Sequence, residues 1–138
     1  MLEIIEAGRP HPYPPRVSAF TRTFWDGLAE GRFLTTASAS TGRLTFPPKP
    51  VSPSDWSGDM EWTELSGLGV LYSHTTLHSA PAVFTEELPY TVCIADLDEG
   101  LRIATRYLGP APRIGQRVRV VGVRYTDHMS FAVTSDES

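Results

Sequence analysis

Two histidines, four arginines and one lysine are the side chains of this chain whose types and spacing suggest a binding surface. His74 and His78 stand four apart in the run Leu68 to His78, which is rich in β-branched and aromatic residues. On a regular strand, residues two apart share a face, so both imidazoles and Tyr72 would project together. That strip could line a ligand or a partner surface; it could equally be a half-exposed strand face with satisfied imidazoles. As metal ligands the two histidines are poorly placed, ~13 Å apart along a flat strand. Neither has a nucleophile or orienting group at a recognisable spacing, so no triad is indicated. Arg102 and Arg106 alternate to one face of the run Leu101 to Leu108, and Arg117 and Arg119 do the same in Arg117 to Tyr125. If those runs pair as strands, four guanidinia gather on one face, fit to hold phosphates or an acidic patch. The competing expectation is a solvated face whose arginines pair with Asp96, Asp98, Glu99 or Asp127. The segment Gly109 to Gly115 carries Pro110 and Pro112 and lacks the strand, turn and helix context of a phosphate-binding loop.

Composition sets the outer limits. A chain of 138 residues with 41% hydrophobic and 20% charged residues has the size and make-up of one globular domain. No apolar run approaches the ~20 residues of a membrane span, and Met1 to Pro15 has no signal-peptide core. The expected location is the cytoplasm, with no membrane contact. A net charge of −4, with Lys49 the only lysine, argues against general nucleic-acid binding. The single Cys93 excludes an internal disulfide and a cysteine-based metal cluster, and its place in the apolar run Tyr90 to Leu97 points to buried packing.

The elements that must carry these residues follow from periodicity and turn chemistry. Four prolines, Pro10, Pro12, Pro14 and Pro15, make the first sixteen residues an extended arm. Phe20, Phe24 and Leu28, with Trp25 beside them, give an i, i+4 apolar stripe and predict a helix over Ala19 to Glu30, with Ser18 as N-cap and Gly31 as its stop. Such a helix either packs on the body of the protein or caps a partner. Strand-like runs begin at Met60. Gly67 and Gly69 suit a bulge or tight bend, Ser79 to Leu88 a loop, and Asp98-Glu99-Gly100 the turn of a hairpin. Runs at Leu68 to His78, Tyr90 to Asp96, Leu101 to Leu108, Arg117 to Tyr125 and Ser130 to Val133 predict a mainly β chain ending in a small closed barrel. The oligonucleotide/oligosaccharide-binding (OB) fold is the commonest five-strand solution.

The order of the parts resembles a known family. Phe24-Trp25-Asp26-Gly27-Leu28 through Arg32, Phe46-Pro47-Pro48-Lys49-Pro50, Glu61-Trp62 with Ser66 to Ser73, and Pro89-Tyr90 leading into Ala95 to Gly100 are together similar to the zinc-ribbon plus OB-fold accessory proteins called domain of unknown function 35. The resemblance implies an N-terminal arm and helix over 1–34, a rubredoxin-like zinc ribbon over 35–62 and an OB barrel over 63–138. It also implies a thiolase-like, aldolase-type or acyltransferase partner in a hetero-oligomer, contact with CoA or acyl-CoA, and no catalysis by this chain itself. The residues that could make that contact are Lys49, Tyr72, His74, His78, Arg102 and Arg106. Matching the Pro-rich arm puts Ser38, Thr41, Ser52 and Asp55 where the family has four zinc ligands, and neutral hydroxyls with one carboxylate do not make a closed zinc site. The expectation is therefore a degenerate, metal-free ribbon held by Phe46, Trp56, Trp62 and side-chain hydrogen bonds in its turns, looser than in relatives that keep the metal.

Trp25, Phe33 and Trp56 look exposed and would serve a partner. From a different class, a stand-alone OB-fold binder of single-stranded nucleic acid would use Tyr72, Tyr90, Tyr107, Tyr125 and Phe131 as stacking platforms beside the arginine strands, against the adverse net charge. For zinc, elemental analysis of the purified chain should find far less than one equivalent; a stoichiometric signal would contradict the metal-free ribbon.

Overall fold

The computed structural model describes residues 1–12, 14–52, 56 and 58–136. In chain order these form β1 (Ile4–Glu6), α1 (Arg22–Ala29), β2 (Phe33–Ser38), β3 (Leu44–Thr45), β4 (Met60–Leu65), β5 (Leu68–Leu77), a 3-10 helix (Ala82–Glu87), β6 (Tyr90–Leu97), β7 (Arg102–Leu108), β8 (Arg117–Arg124) and β9 (Met129–Ser135). Among the described residues no helix is long and apolar enough to cross a membrane.

Strands β5 to β9 are those expected from the alternating runs, and they close on themselves. The order is β8-β5-β6-β7-β9, and β9 pairs back onto β8 from Val118↔Ser135 to Arg124↔Met129. Leu71, Ala95, Ile103, Val118, Val120 and Val133 share the core face, and all six are no more than 2% exposed. The N-terminal arm is more than an extended lead. Ile4, Ile5 and Glu6 add a parallel edge strand to β8, opposite Gly122, Val123 and Arg124.

The helix is shorter at its start than the periodicity predicts. Ser18 and Thr21 bond each other's backbone N–H groups and close a turn, so regular helix begins only at Arg22. Its end is where Gly31 predicts. Gly31 has a φ of +78°, the Gly31 N–H reaches the Leu28 carbonyl and the Arg32 N–H reaches the Gly27 carbonyl, so two orphan carbonyls of the last turn are satisfied. Phe24 and Leu28 are buried, making this a packing helix.

The ribbon is a separate three-stranded sheet of order β3-β2-β4, in which all of β4 pairs with β2. It is fastened to the barrel by aromatic rings. Phe24 of α1, Phe33 of β2, Phe46 after β3 and Phe131 of β9 meet with all six centroid separations between 5.5 and 6.1 Å. Tilted and edge-on pairs of this kind add ~0.5–1.5 kcal/mol each beyond area burial. Phe33, expected at the surface, is fully buried, because it is the first residue of β2 and faces α1 and Phe46. Trp25 is half-buried against Phe24 and His128. Trp56, expected to hold the ribbon, is instead 82% exposed, while Trp62 stacks on Phe20 at 5.2 Å.

Hydroxyl groups complete the ribbon. Thr35 Oγ1 donates to the Thr45 carbonyl, Thr36 Oγ1 lies 3.0 Å from Thr45 Oγ1 and accepts the Lys49 N–H at 2.9 Å; all three threonines are buried. At the first knuckle the buried Ser38 Oγ accepts the Thr41 N–H at 3.3 Å and lies 3.1 Å from Ser40 Oγ. At the second, the Ser52 carbonyl accepts the Trp56 N–H at 2.8 Å; Asp55 lies outside the described residues. Ser38 therefore serves its turn through hydrogen bonds, and Ser38, Thr41 and Ser52 offer neither thiolate nor imidazole, so these residues do not fit a tetrahedral zinc ion.

Phe33→Ala should lower the unfolding free energy in urea by about 3–5 kcal/mol, while Trp56→Ala should change it by no more than about 0.5 kcal/mol.

Candidate functional site

A cavity of about 790 Å³ lies on the face of the barrel strands turned away from the core. Strand parity creates its floor. Cys93, Thr105 and Val133 belong to the core face, so their neighbours Val92, Ile94, Ala104 and Ala132 project to the other side. The arm after β1 and the 3-10 helix build the walls. The arm is held along β8 and the turn after it by Ala7 N–H to the Arg124 carbonyl at 2.8 Å, Thr126 N–H to the Arg9 carbonyl at 3.0 Å and His11 N–H to Asp127 Oδ1 at 2.8 Å. Its prolines keep it extended while it makes these contacts.

At one wall the Glu87 carboxylate, 7% exposed, bridges two guanidinia, with Arg9 Nη1 at 2.5 Å and Arg106 Nη1 at 2.6 Å. Burial pushes the Glu87 carboxyl up, but the ion-paired guanidinia of Arg9 and Arg106 outweigh it, and the group is held below its ordinary 4.5. Arg106 stacks over Tyr90 at 3.9 Å and stands 5.6 Å from Phe84, and Arg9 lies 5.5 Å from the Tyr125 ring centre. His11 packs on Tyr125 at 4.5 Å. Burial, with the neighbouring His128, lowers the His11 pKa, and burial lowers that of His128. Both are therefore neutral at pH 7.

The residues singled out from the sequence do not form one site. A β-bulge between Leu71 and Ser73 breaks the alternation of β5. Tyr72 is exposed under the Arg102 guanidinium at 3.8 Å, His74 comes opposite the core-face Cys93, and His78 lies exposed beyond the end of β5. The shared face of Tyr72, His74 and His78 is thus lost to one extra residue. His74 and Arg106 both reach the cavity. Lys49 sits exposed on the ribbon arm.

The four-arginine patch also fails to assemble, because β7 and β8 are not neighbours: β9 separates them on one side and β6 and β5 on the other. Arg102 makes a two-point pair with Asp96, Arg117 does so with Asp98, and Arg119 pairs with Glu3 at 2.8 Å. Hydrogen bonds from these arginines hold Asp96 and Asp98 below the usual carboxylate range. Nor do the aromatics make a stacking platform. Tyr107 is buried with its hydroxyl accepting from Gln116 Nε2 at 2.9 Å, Phe131 is in the phenylalanine cluster, and Tyr72 and Tyr90 are covered by arginines. Cys93 is buried as expected, and burial pushes its thiol up to about 11, so it stays protonated.

Arg9 and His11 enter the site unannounced by sequence spacing, and Tyr125, expected as a stacking platform for bases, instead packs there on His11. Arg9 and Glu87 meet only because β1 pairs with β8, a parallel contact that no local pattern marks.

The chain resembles known proteins along most of its length. Residues 62–123 match the model of the ChsH2 C-terminal OB-fold domain. It is 30% identical over 126 residues to the 3-oxo-4,17-pregnadiene-20-carboxyl-CoA hydratase alpha subunit of Mycobacterium tuberculosis, covering 89% of this chain and 40% of that protein. It is 32% identical over 84 residues to a DUF35 domain-containing scaffold protein of Methanocaldococcus jannaschii, covering 58% of this chain and 60% of that one. The chain thus spans 40% of the length of the first of these relatives and 60% of the second. Among solved structures, the Ltp2-ChsH2(DUF35) aldolase superposes with a TM-score of 0.77 and 25% identity over 89% of this chain and 99% of that chain. A DUF35-family protein of unknown function from Sulfolobus solfataricus shares the fold at a TM-score of 0.61 over 87% of each chain, with 13% identity.

Glu87→Gln leaves the partly buried Arg106 and the more exposed Arg9 without their carboxylate and should cost roughly 1–3 kcal/mol at pH 7. A carboxyl whose folded pKa is depressed stabilises the fold above its unfolded value and loses that contribution as pH falls through the folded one. Urea unfolding from pH 7 downward should therefore show the gap between wild type and Glu87→Gln closing below pH 4.5. A gap that stays constant into acid would contradict the bridge.

Proposed function

As the chain is a DUF35-family OB-fold protein, we propose that it is a non-catalytic accessory subunit of an acyl-CoA-handling, thiolase-like complex in the cytoplasm. The observation that carries this reading is the likeness to the Ltp2-ChsH2(DUF35) aldolase, which takes in the ribbon as well as the barrel and covers 99% of that chain. The name of the mycobacterial hydratase alpha subunit supports the acyl-CoA part. The chemistry of the side chains agrees with a supporting role. Cys93 is buried and protonated, and Glu87, Asp96 and Asp98 each face arginine partners. Carbon–carbon bond formation or cleavage would then rest on residues of the partner.

In this reading the ribbon and the barrel present different things to that partner. Trp56, 82% exposed with a φ of +60°, offers a large rigid aromatic at the ribbon, the kind of side chain that dominates protein interfaces. On the barrel, Arg102 is exposed, stacked on Tyr72, and keeps N–H donors beyond those given to Asp96, so it can meet a phosphate of a CoA held by the partner. His74 and Arg106 lie further along the same strands, and Lys49 and His78 add exposed cationic or titratable groups at the ribbon and beyond β5. The chain needs no tightly bound cofactor and no zinc for this role.

The test is to purify the tagged chain from its native host and identify what co-elutes by mass spectrometry. A thiolase-like protein in a near-stoichiometric band is expected, weakened at least tenfold by Trp56→Ala with the fold intact. Elution as a clean monomer or homodimer would overturn the reading.

A further inference from the structure

The cavity opposite the core has the features of a small-molecule site independent of any partner surface. Its volume of about 790 Å³ lies within the roughly 300–1,000 Å³ usual for such sites, and its lining is mainly hydrocarbon with a few convergent polar groups. Ile94, Ala104 and Ala132 make an apolar floor; Ala104, the exposed partner of Ile94 across β6 and β7, is small enough to leave the depression open, and Ala132 lies buried beneath it. The charged lining residues are Arg9, Arg106 and Glu87, which leave one net positive charge. His11 also lines the cavity and is neutral at pH 7.

The positive end is built in place before any ligand arrives. Glu87 takes one Nη from each guanidinium. Every arginine has five N–H donors in a fixed fork, so both retain donors for a second acceptor. Arg106 is clamped between the Tyr90 face and Glu87, and its stem rises from β7 beside Ala104, so head and floor are rigidly related. A carboxylate entering beside Glu87 would restore neutrality to the cluster and accept charge-assisted hydrogen bonds from the remaining guanidinium donors, of which Arg106, with its side chain 26% exposed against 50% for Arg9, is the more sheltered.

We propose that this cavity binds a monoanionic amphiphile, a carboxylic acid with a hydrocarbon body. Its head meets Arg9 and Arg106, and its body covers Ile94, Ala104 and Ala132. An alcohol of equal length would gain the apolar contacts and leave the guanidinium donors without a charged acceptor. The preference for acid over alcohol therefore reads the arginine end, and the absolute affinity reads the floor.

The experiment is isothermal titration of the full chain at pH 7 with decanoate and with decanol, each below its aggregation limit. Saturable one-to-one binding of decanoate, at least tenfold tighter than decanol, is expected. Arg106→Gln should erase that preference. Ala104 is solvent-exposed, so Ala104→Trp fills the depression without entering the core, and it should abolish binding of both probes while circular dichroism and the melting temperature stay at wild-type values. No saturable binding of decanoate, equal affinity for the two probes, or unchanged binding in Ala104→Trp would overturn the site. The measurement uses the isolated chain, so its outcome is independent of whether a thiolase-like partner exists.

Discussion

Four phenylalanine rings in mutual contact are the constraint on which the rest of the molecule depends. Phe24, Phe33, Phe46 and Phe131 come from the helix, the first ribbon strand, the ribbon arm and the last barrel strand, and every pair among them is within 6.1 Å. Remove any one ring and the three other elements each lose a partner. The described knuckle residues Ser38, Thr41 and Ser52 carry hydroxyls in place of thiolates or imidazoles, so packing has to carry much of the ribbon's order. The buried threonine hydroxyls of β2 and the turn bonds of Ser38 add direction to a contact that is otherwise nondirectional. In this arrangement the ribbon behaves as a third layer of the barrel core, unlike a small domain stapled by an ion.

The opposite face of the same strands obeys a different logic. Val118 and Val120 point into the core, and Val121 and Val123 point away from it, yet all four are buried. The second pair is covered because the N-terminal arm pairs with β8 and lays Ile5 and Ala7 beside it. Covering that face brings Arg9 to Arg106 and requires a carboxylate between them, which Glu87 supplies from the 3-10 helix. The cavity and its charge are thus consequences of how the arm is anchored.

What the sequence disclosed was whatever depends on local period or on turn chemistry. The five barrel strands, the hairpin turn at Asp98 to Gly100 and the glycine stop at Gly31 are local signals, and they appear where periodicity and glycine put them. Pairing of Arg102 with Asp96 and of Arg117 with Asp98 was also foreseeable as the ordinary fate of exposed arginines. The failures share a cause in nonlocal geometry. One inserted residue at Tyr72 separates Tyr72 from His74, and strand order separates the two arginine pairs. Phe33 follows a glycine stop and an arginine, a context that looks exposed until β2 folds under α1. Arg9 joins Glu87 across 78 positions through a parallel pairing that carries no sequence signature.

Native-state hydrogen exchange, with amides of β2 and β8 followed together in the presence of a chelator, tests the cluster most directly. If the phenylalanines bind ribbon and barrel into one cooperative unit, the slowest amides of both strands exchange through the same global opening, with equal free energies. Exchange of β2 through a separate opening of much lower free energy, or a selective loss of its protection on chelation, would contradict it.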